Sequence, residues 1–441
     1  MAGLFWSKDT LVCTSESSFV VLSLRQSEQL LYRETRRKSG GVSVLTTNVE
    51  TGPSTGQPKT ADEPPEEHSS QESDPSHTPA GRILACRFSP SGRYFALCDD
   101  YKTLSLYSTE EWHLLSTRTT QKRCMAVTFN HAEDTVYVAD KFGDVHSFSV
   151  TEPSGEGRLI LGHLSMLLDV VVSPDDRYIL TSDRDEKIRV SCLPNAYNIH
   201  AFCLGHTEFV SRVAIVPGFE SILVTGGGDS TVRFWDYRQG KQLQCLSLPT
   251  PAEEGSEGKH QIVAGITCCQ RHGLVAVTAL GSSCVFLFRA TSDVSGNLQV
   301  VRGPPIYAKA VCWSARFDHL GRLWVLQQLK SQPVMVFSVE ESADGFSLKP
   351  TSSSEDNSNV AGVVKQLNRD WNFFESAVNT PSLYANLYKR SYDNTRAYLE
   401  RKEQRIKAQQ QRKSSKKKDC APPVGKRARL ELGTETLQSD S

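Results

Sequence analysis

The residues best suited to chemistry are His206 and Asp229, with Gly226-Gly227-Gly228 directly before the acid. A His–Asp pair can act as an oriented general base, and a glycine-rich loop can cradle a phosphate. The glycines, however, sit in a strand–turn–strand unit with no helix N-terminus behind them to receive the anion. Gly155-Glu156-Gly157 lacks a third glycine at the spacing of a dinucleotide or S-adenosylmethionine loop. H-E-x-x-H and clustered His/Cys ligand sets are absent. Asp99-Asp100 and Asp175-Asp176 fall in turns, where Asp is favoured for local hydrogen bonding. The twelve cysteines are scattered without a C-x-x-C pair, most of them inside apolar strand-like runs. They read as small buried hydrophobes of a reduced, intracellular chain. The sequence therefore predicts no catalytic residue, no bound cofactor and no metal site.

Charge offers a sharper candidate. Ser182-Asp183-Arg184-Asp185-Glu186-Lys187-Ile188-Arg189-Val190 concentrates ionisable groups in a turn and the strand after it. Strand alternation puts Ile188 and Val190 on one face, Lys187 and Arg189 on the other. Such a stretch is either a solvated hairpin or a partner-docking ridge. A second concentration lies between Arg401 and Leu430, where twelve Lys/Arg meet two acids. That stretch carries +10, and since the formal net charge is zero the rest carries −10. A basic tail on an acidic body suits an anionic partner of the tail alone.

The elements that position these groups repeat. Ile83–Tyr107, Cys124–Phe148, Leu167–Val190 and Phe209–Trp235 each read as strand, polar turn, strand, Asp-bearing tight turn, strand. Leu104, Val145, Ile188 and Val232 occupy equivalent places, 41, 43 and 44 residues apart. A multi-strand period of roughly 40–45 residues is the signature of a β-propeller. Looser copies at Ile262–Phe288, Ala310–Phe337 and Thr10–Leu24 bring the expectation to seven blades, with six as the runner-up. No apolar run approaches the ~18 residues of a membrane span. Met1-Ala2-Gly3-Leu4 has neither a signal peptide's charged start nor a myristoylation glycine.

Five segments are expected. Residues 1–33 hold the first propeller strands, and 34–80 an acidic, Pro-rich disordered insert loop. Its Thr51–Pro79 part has six prolines and no large aliphatic or aromatic residue, too little to offset ordering entropy. It reads as a tolerated insertion or a regulatory loop. Residues 81–370 form the propeller. Residues 371–412 hold the Trp371-Asn372-Phe373-Phe374 cluster and a C-terminal helix. Its apolar first half is marked by Tyr384, Leu387, Tyr388 and Tyr392, its second half by Glu, Lys, Arg, Gln and Ala. Residues 413–441 form a disordered basic tail, with Lys413, Lys416, Lys417, Lys418, Lys426, Arg427 and Arg429 as an RNA-contacting or nuclear-import element.

Gly205-His206, Asp229 and Trp235-Asp236 resemble the WD-repeat pattern, as do Gly162-His163 and Asp185. The resemblance implies that His206, Thr225, Asp229 and Trp235 form a buried structural network within a blade. A weaker copy would use His163, Thr181 and Asp185, with Ser191 in place of the tryptophan. More specifically, Leu161–Val190 and Phe202–Arg212 resemble the non-catalytic WD-repeat subunits of eukaryotic tRNA (guanine-N7-)-methyltransferases. Leu387-Tyr-Lys-Arg-Ser-Tyr-Asp-Asn394 is similar to that family's C-terminal segment.

This resemblance implies an all-β, seven-bladed WD-repeat propeller with a C-terminal helix and basic tail, acting as a non-catalytic scaffold. It implies a heterodimer with a catalytic methyltransferase subunit that binds S-adenosylmethionine and forms N7-methylguanosine in tRNA. Asp185, Glu186, Lys187 and Arg189 would dock that subunit, tRNA would be met through the complex, and the expected location is the nucleus, with the cytoplasm as a second site. The alternative is a substrate receptor or adaptor of a cullin-RING ubiquitin ligase, because Trp235-Asp236-Tyr237-Arg238 resembles the W-D-x-R docking box of such propellers.

Overall fold

The computed structural model describes residues 2–25, 30–35, 43–44, 81–249, 260–293, 296–342, 345–351, 358–378, 380–384, 386–389 and 394–418. Two compact units divide the chain, residues 1–388 and 389–441. The insert expected at 34–80 lies outside the described residues except for Glu34, Thr35 and the short strand Ser43–Val44.

The first unit is a ring of seven antiparallel sheets, each built from consecutive strands. Blades 1 to 7 begin with the inner strands Gly3–Ser7, Ile83–Phe88, Cys124–Phe129, Leu167–Val172, Val210–Ile215, Val263–Cys269 and Cys312–Phe317. Seven blades, not six, close the circle. Each inner strand touches those of its two neighbours, and that of blade 7 touches that of blade 1.

Burial explains the strand sequences. The inner strand of blade 4, Leu-Leu-Asp-Val-Val-Val, is buried throughout. Its Leu167, Val170 and Val172 pack with blade 3, while Val171 packs with blade 5. A strand covered on both faces loses the apolar/polar alternation of a half-exposed one. The outermost strand, Ile199–Cys203, is mostly exposed.

Between the second and third strands of each of blades 2 to 5 lies a five-residue turn whose fourth residue has positive φ. These residues are Lys102, Gly143, Glu186 and Ser230, at +63°, +105°, +67° and +60°. In blades 2 to 4 an Asp ending the second strand pins the turn. Asp99, Asp140 and Asp183 each accept from the amides two and four residues on.

Among the described residues no strand is exchanged between the first and last blades to lock the ring. The junction of blades 1 and 7 is instead sealed by two helices, α1 (Ser358–Arg369) and α2 (Trp371–Glu375). Val360, Val363 and Leu367 of α1 and Phe373 and Phe374 of α2 share one core with Leu4, Leu11, Val20 and Leu22 of blade 1 and Trp324, Leu326 and Val334 of blade 7. Ser15 and Ser376 meet at 2.8 Å. The helix α1 falls inside the span expected to be propeller. Its signal was Val360, Val363, Val364 and Leu367, an i, i+3, i+4, i+7 stripe.

The C-terminal helix also differs from expectation. The apolar segment with Tyr384 and Leu387 is not helical. It is an irregular strap that follows Pro381, and regular helix α3 runs over Asn394–Lys418. Individual anchoring of the strap's side chains, rather than period-3.6 packing, decides its shape. Helix α3 passes the boundary placed at Arg412 and takes in Lys413, Lys416, Lys417 and Lys418, since lysine favours helix. Lys426, Arg427 and Arg429 lie outside the described residues.

Candidate functional site

The His206–Asp229 pair is built into blade 5. Nδ1 of His206 lies 2.9 Å from Asp229 Oδ2, its Nε2 lies 2.8 Å from Thr225 Oγ1, and Trp235 Nε1 donates to that same oxygen at 2.8 Å. Carboxylate, imidazole, hydroxyl and indole thus satisfy one another in a chain. Burial by itself would raise the Asp229 carboxyl. Donation from His206, its charge, and donation from Thr231 and the Thr207 amide outweigh that and bring it to about 2. Thr225 and Trp235 are both 0 % exposed, so no substrate reaches the hydroxyl beside the His–Asp pair. The arrangement is structural, and a fully satisfied polar network rigidifies the blade that holds it.

Blade 4 repeats the device with one substitution of partner. Nε2 of His163 lies 2.8 Å from Thr181 Oγ1, but its Nδ1 meets Asp183 Oδ2 at 3.0 Å rather than Asp185. Strand pairing sets Thr181 opposite Arg189 and Thr225 opposite Arg233, so Asp185 is the true counterpart of Asp229 in the turn. The imidazole uses the carboxylate that already pins the turn, two residues earlier. This corrects the assignment of Asp185 to the network and leaves its side chain to other contacts.

The predicted docking residues therefore part company. Asp185 and Glu186 are partly exposed in the turn and Lys187 is exposed. Ile188 and Val190 are buried between blades 4 and 5. Arg189 is 9 % exposed and is turned into the blade. It donates from Nε to Ser191 Oγ at 2.9 Å, and to the carbonyls of Gly162 and Ala196 at 2.8 and 3.2 Å. Burial lowers its pKa. Its guanidinium ties the third strand to the segments at Gly162 and Ala196, with Ser191 standing where blade 5 has Trp235.

Sequence reading missed the apolar half of this face. Leu164, Phe202 and Leu204 are exposed, as are Phe142, Leu159, Tyr197 and Ile199 nearby in the chain. Phe202 pairs with Arg189 across the sheet, and Leu204 continues that strand alongside Lys187. Leu164 follows His163, which binds the turn's first residue. The signal was an outermost strand, Ile199–Cys203, with large apolar residues at both parities. Isolated exposed apolar side chains are ordinary, but a group of them around a rigid charged turn marks an interaction site.

The strap crosses the same face. Arg184 donates from Nε to the Leu387 carbonyl at 2.8 Å, and Tyr388 Oη donates to the Gly228 carbonyl at 2.8 Å. Tyr384 is buried with Leu168 of the blade 4 inner strand and with Phe209 and Ile262, which directly precede those of blades 5 and 6. The strap thus connects the turns of blades 4 and 5.

The other sequence candidates are absorbed by the fold. In the Trp235–Arg238 box, Tyr237 is buried and donates to the Glu220 carbonyl, while Arg238 pairs with Asp175 at 3.1 Å. Most described cysteines are buried or half-buried, and burial pushes the Cys203, Cys268 and Cys312 thiols up to about 12. Among the described residues no three His, Cys, Asp or Glu cluster as for a metal, and no helix is long and apolar enough to cross a membrane.

Residues 24–157 and 149–304 match the family profile described as the tRNA methyltransferase TRM82 WD40 domain. A mouse protein named tRNA (guanine-N(7)-)-methyltransferase non-catalytic subunit WDR4 is 41% identical over 343 residues, 76% of this chain and 80% of its own. The human protein of that name is 42% identical over 325 residues, 73% and 76%. A Drosophila mojavensis relative, non-catalytic subunit wuho, is 34% identical, covering 75% of this chain and 82% of its own. Solved structures of U3-55K and of the RRP9 WD40 repeats superpose with TM-scores of 0.54, at 17% and 18% identity, over 73% of this chain and 86% of each of theirs. Those two likenesses show the fold alone.

Proposed function

The chain belongs to the tRNA methyltransferase TRM82 WD40 family together with its WDR4 relatives, and from that membership we propose how it serves as a non-catalytic subunit of a tRNA (guanine-N7-)-methyltransferase. The observation that carries the proposal is the rigid turn with Asp185, Glu186 and Lys187 beside exposed Leu164, Phe202 and Leu204. In this reading the catalytic subunit docks there, forming a heterodimer. The apolar side chains supply burial, and the charges fix register, since a close charge pair across an interface couples by ~1.5–7 kcal/mol. Arg189 contributes by bracing the strand that follows the turn, through Ser191, Gly162 and Ala196.

S-adenosylmethionine belongs to the catalytic partner. This chain orients and stabilises that partner, and tRNA is met through the complex. The basic residues of α3, with Lys413, Lys416, Lys417 and Lys418, add phosphate contacts and double as an import signal together with Lys426, Arg427 and Arg429. The complex then works in the nucleus, with a cytoplasmic share.

Lys187→Glu combined with Leu204→Asp tests the docking face, because neither residue is buried. The catalytic subunit should no longer co-purify, while the thermal midpoint of the propeller stays within a degree or two. Unimpaired assembly would refute the docking claim. Truncation after Glu400 should weaken tRNA binding by the complex and flatten its salt dependence, since each lost phosphate contact removes about 0.9 from the logarithmic slope on duplex. An unaltered slope would dismiss the tail's part.

A further inference from the structure

We propose that the central channel of the propeller binds one phosphate-sized oxyanion, held by Arg212 and Arg316 in the field of Arg87. All three stand on inner strands, in blades 2, 5 and 7. Arg212 and Asp169 hold equivalent places, each the first residue after the register shift in its strand. Arg87 and Arg316 lie one layer further along, two residues beyond the equivalent positions Ala85 and Ser314. Arg212 and Arg316 line a cavity of about 120 Å³ with Gly265, Thr278, Ser314 and Tyr384.

The charges in this channel do not balance. Besides burial, Arg316 is lowered to about 10 by the neighbouring charges of Arg212 and Arg87. The carboxylate that acts on all three is Asp169. Both of its oxygens are engaged by backbone amides, those of Val170 and Val213, at 3.0 Å each. Tyr384 reaches Arg212, but burial raises its phenol, so it stays neutral at physiological pH and compensates nothing. Among the described residues, three half-buried guanidiniums against this one carboxylate leave +2 in a partly enclosed space. Uncompensated charge in a partly desolvated space favours entry of a counter-ion.

The site is suited to an oxyanion. Guanidiniums present planar forks that match phosphate or sulfate oxygens. Arg212 and Arg316 are fixed by donating to the carbonyls of Ala264 at 2.9 Å and Ala315 at 3.0 Å. Gly265 keeps the wall open, for a Cβ there would come within 2.8 Å of Thr278 Oγ1 and 3.7 Å of an Arg316 terminal nitrogen. The volume is several times the roughly 10–15 Å³ that one water needs, and too small for a nucleotide.

The test is equilibrium dialysis of the full chain with radiolabelled inorganic phosphate in low-salt, phosphate-free buffer. One saturable phosphate per chain is expected, displaced by sulfate and not by AMP. Arg212→Met and Arg316→Met should each weaken it about tenfold or more, the loss of one charge-assisted contact. In buffer without phosphate the same variants should melt at the wild-type temperature or above, because each removes an unbalanced charge. Absence of saturable binding, efficient displacement by AMP, or binding that survives both substitutions, as for phosphate held by the basic tail, would overturn the proposal. Failure of the variants to fold without phosphate would do so too, since it would make the guanidiniums structural struts.

Discussion

His163 and Asp183 meet at 3.0 Å, so in blade 4 the imidazole is held by the carboxylate that ends its strand and not by the one that matches Asp229. Asp183 serves three donors, His163 and the amides of Asp185 and Lys187. Asp183→Ala should therefore cost about 2–4 kcal/mol, several charge-assisted hydrogen bonds lost from a buried site. Asp185→Ala, at a partly exposed position, should cost less than about 1 kcal/mol. Urea denaturation of the two variants checks the order, and an equal loss would place His163 on Asp185 after all.

Acid should attack blade 5 through Asp229. Its folded-state pKa of about 2 lies below the model-compound value of 3.8. A depressed carboxyl contributes stability that is present above the unfolded pKa and lost as pH falls through the folded one. The window thus runs from about pH 4 down to about 2, with on the order of 2 kcal/mol at stake. Stability measured across that window should fall less steeply in Asp229→Asn than in the parent. Parallel curves would mean that Asp229 does not titrate there.

Arg189→Leu should lower stability by about 2–4 kcal/mol, because Ser191 and the carbonyls of Gly162 and Ala196 lose their donor inside the blade. Lys187→Glu should leave stability within about 0.5 kcal/mol. Calorimetry of the free chain separates the two roles. If Arg189→Leu melts like the parent yet fails to assemble, the arginine contacts the partner directly.

Phe374 is wholly buried where blades 1 and 7 meet. Phe374→Ala should cost about 3–5 kcal/mol. Hydrogen exchange should quicken first in the strands of blades 1 and 7, and uniform loosening of all seven blades would argue against a localised seam.

The propeller was legible in the sequence because its period is carried by many apolar positions at once. Leu104, Val145, Ile188 and Val232 are all buried in third strands. The blade 5 network could be read because His206, Thr225, Asp229 and Trp235 keep a familiar spacing. The blade 4 network was misread at its acid, since two carboxylates two residues apart compete for one imidazole and only geometry decides between them. Arg189 looked like a surface group because strand alternation names a face without telling whether the next element covers it. Here Gly162 and Ala196 do. The strap failed as a helix because its backbone and side chains answer to the propeller, the Leu387 carbonyl to Arg184, Tyr388 to the Gly228 carbonyl and both tyrosine rings to Phe209, while the three channel arginines, far apart in sequence, are gathered only by ring closure.

The seal between blades 1 and 7 imposes an order of events during synthesis. Leu4 is made before Phe374, which covers the same core and follows 370 positions later. At about 5–20 residues per second the gap is roughly 20–75 s. Until blade 7 and then α1 and α2 emerge, the apolar flank of the first sheet lacks its full native cover, so the growing chain carries an exposed apolar surface through most of its synthesis.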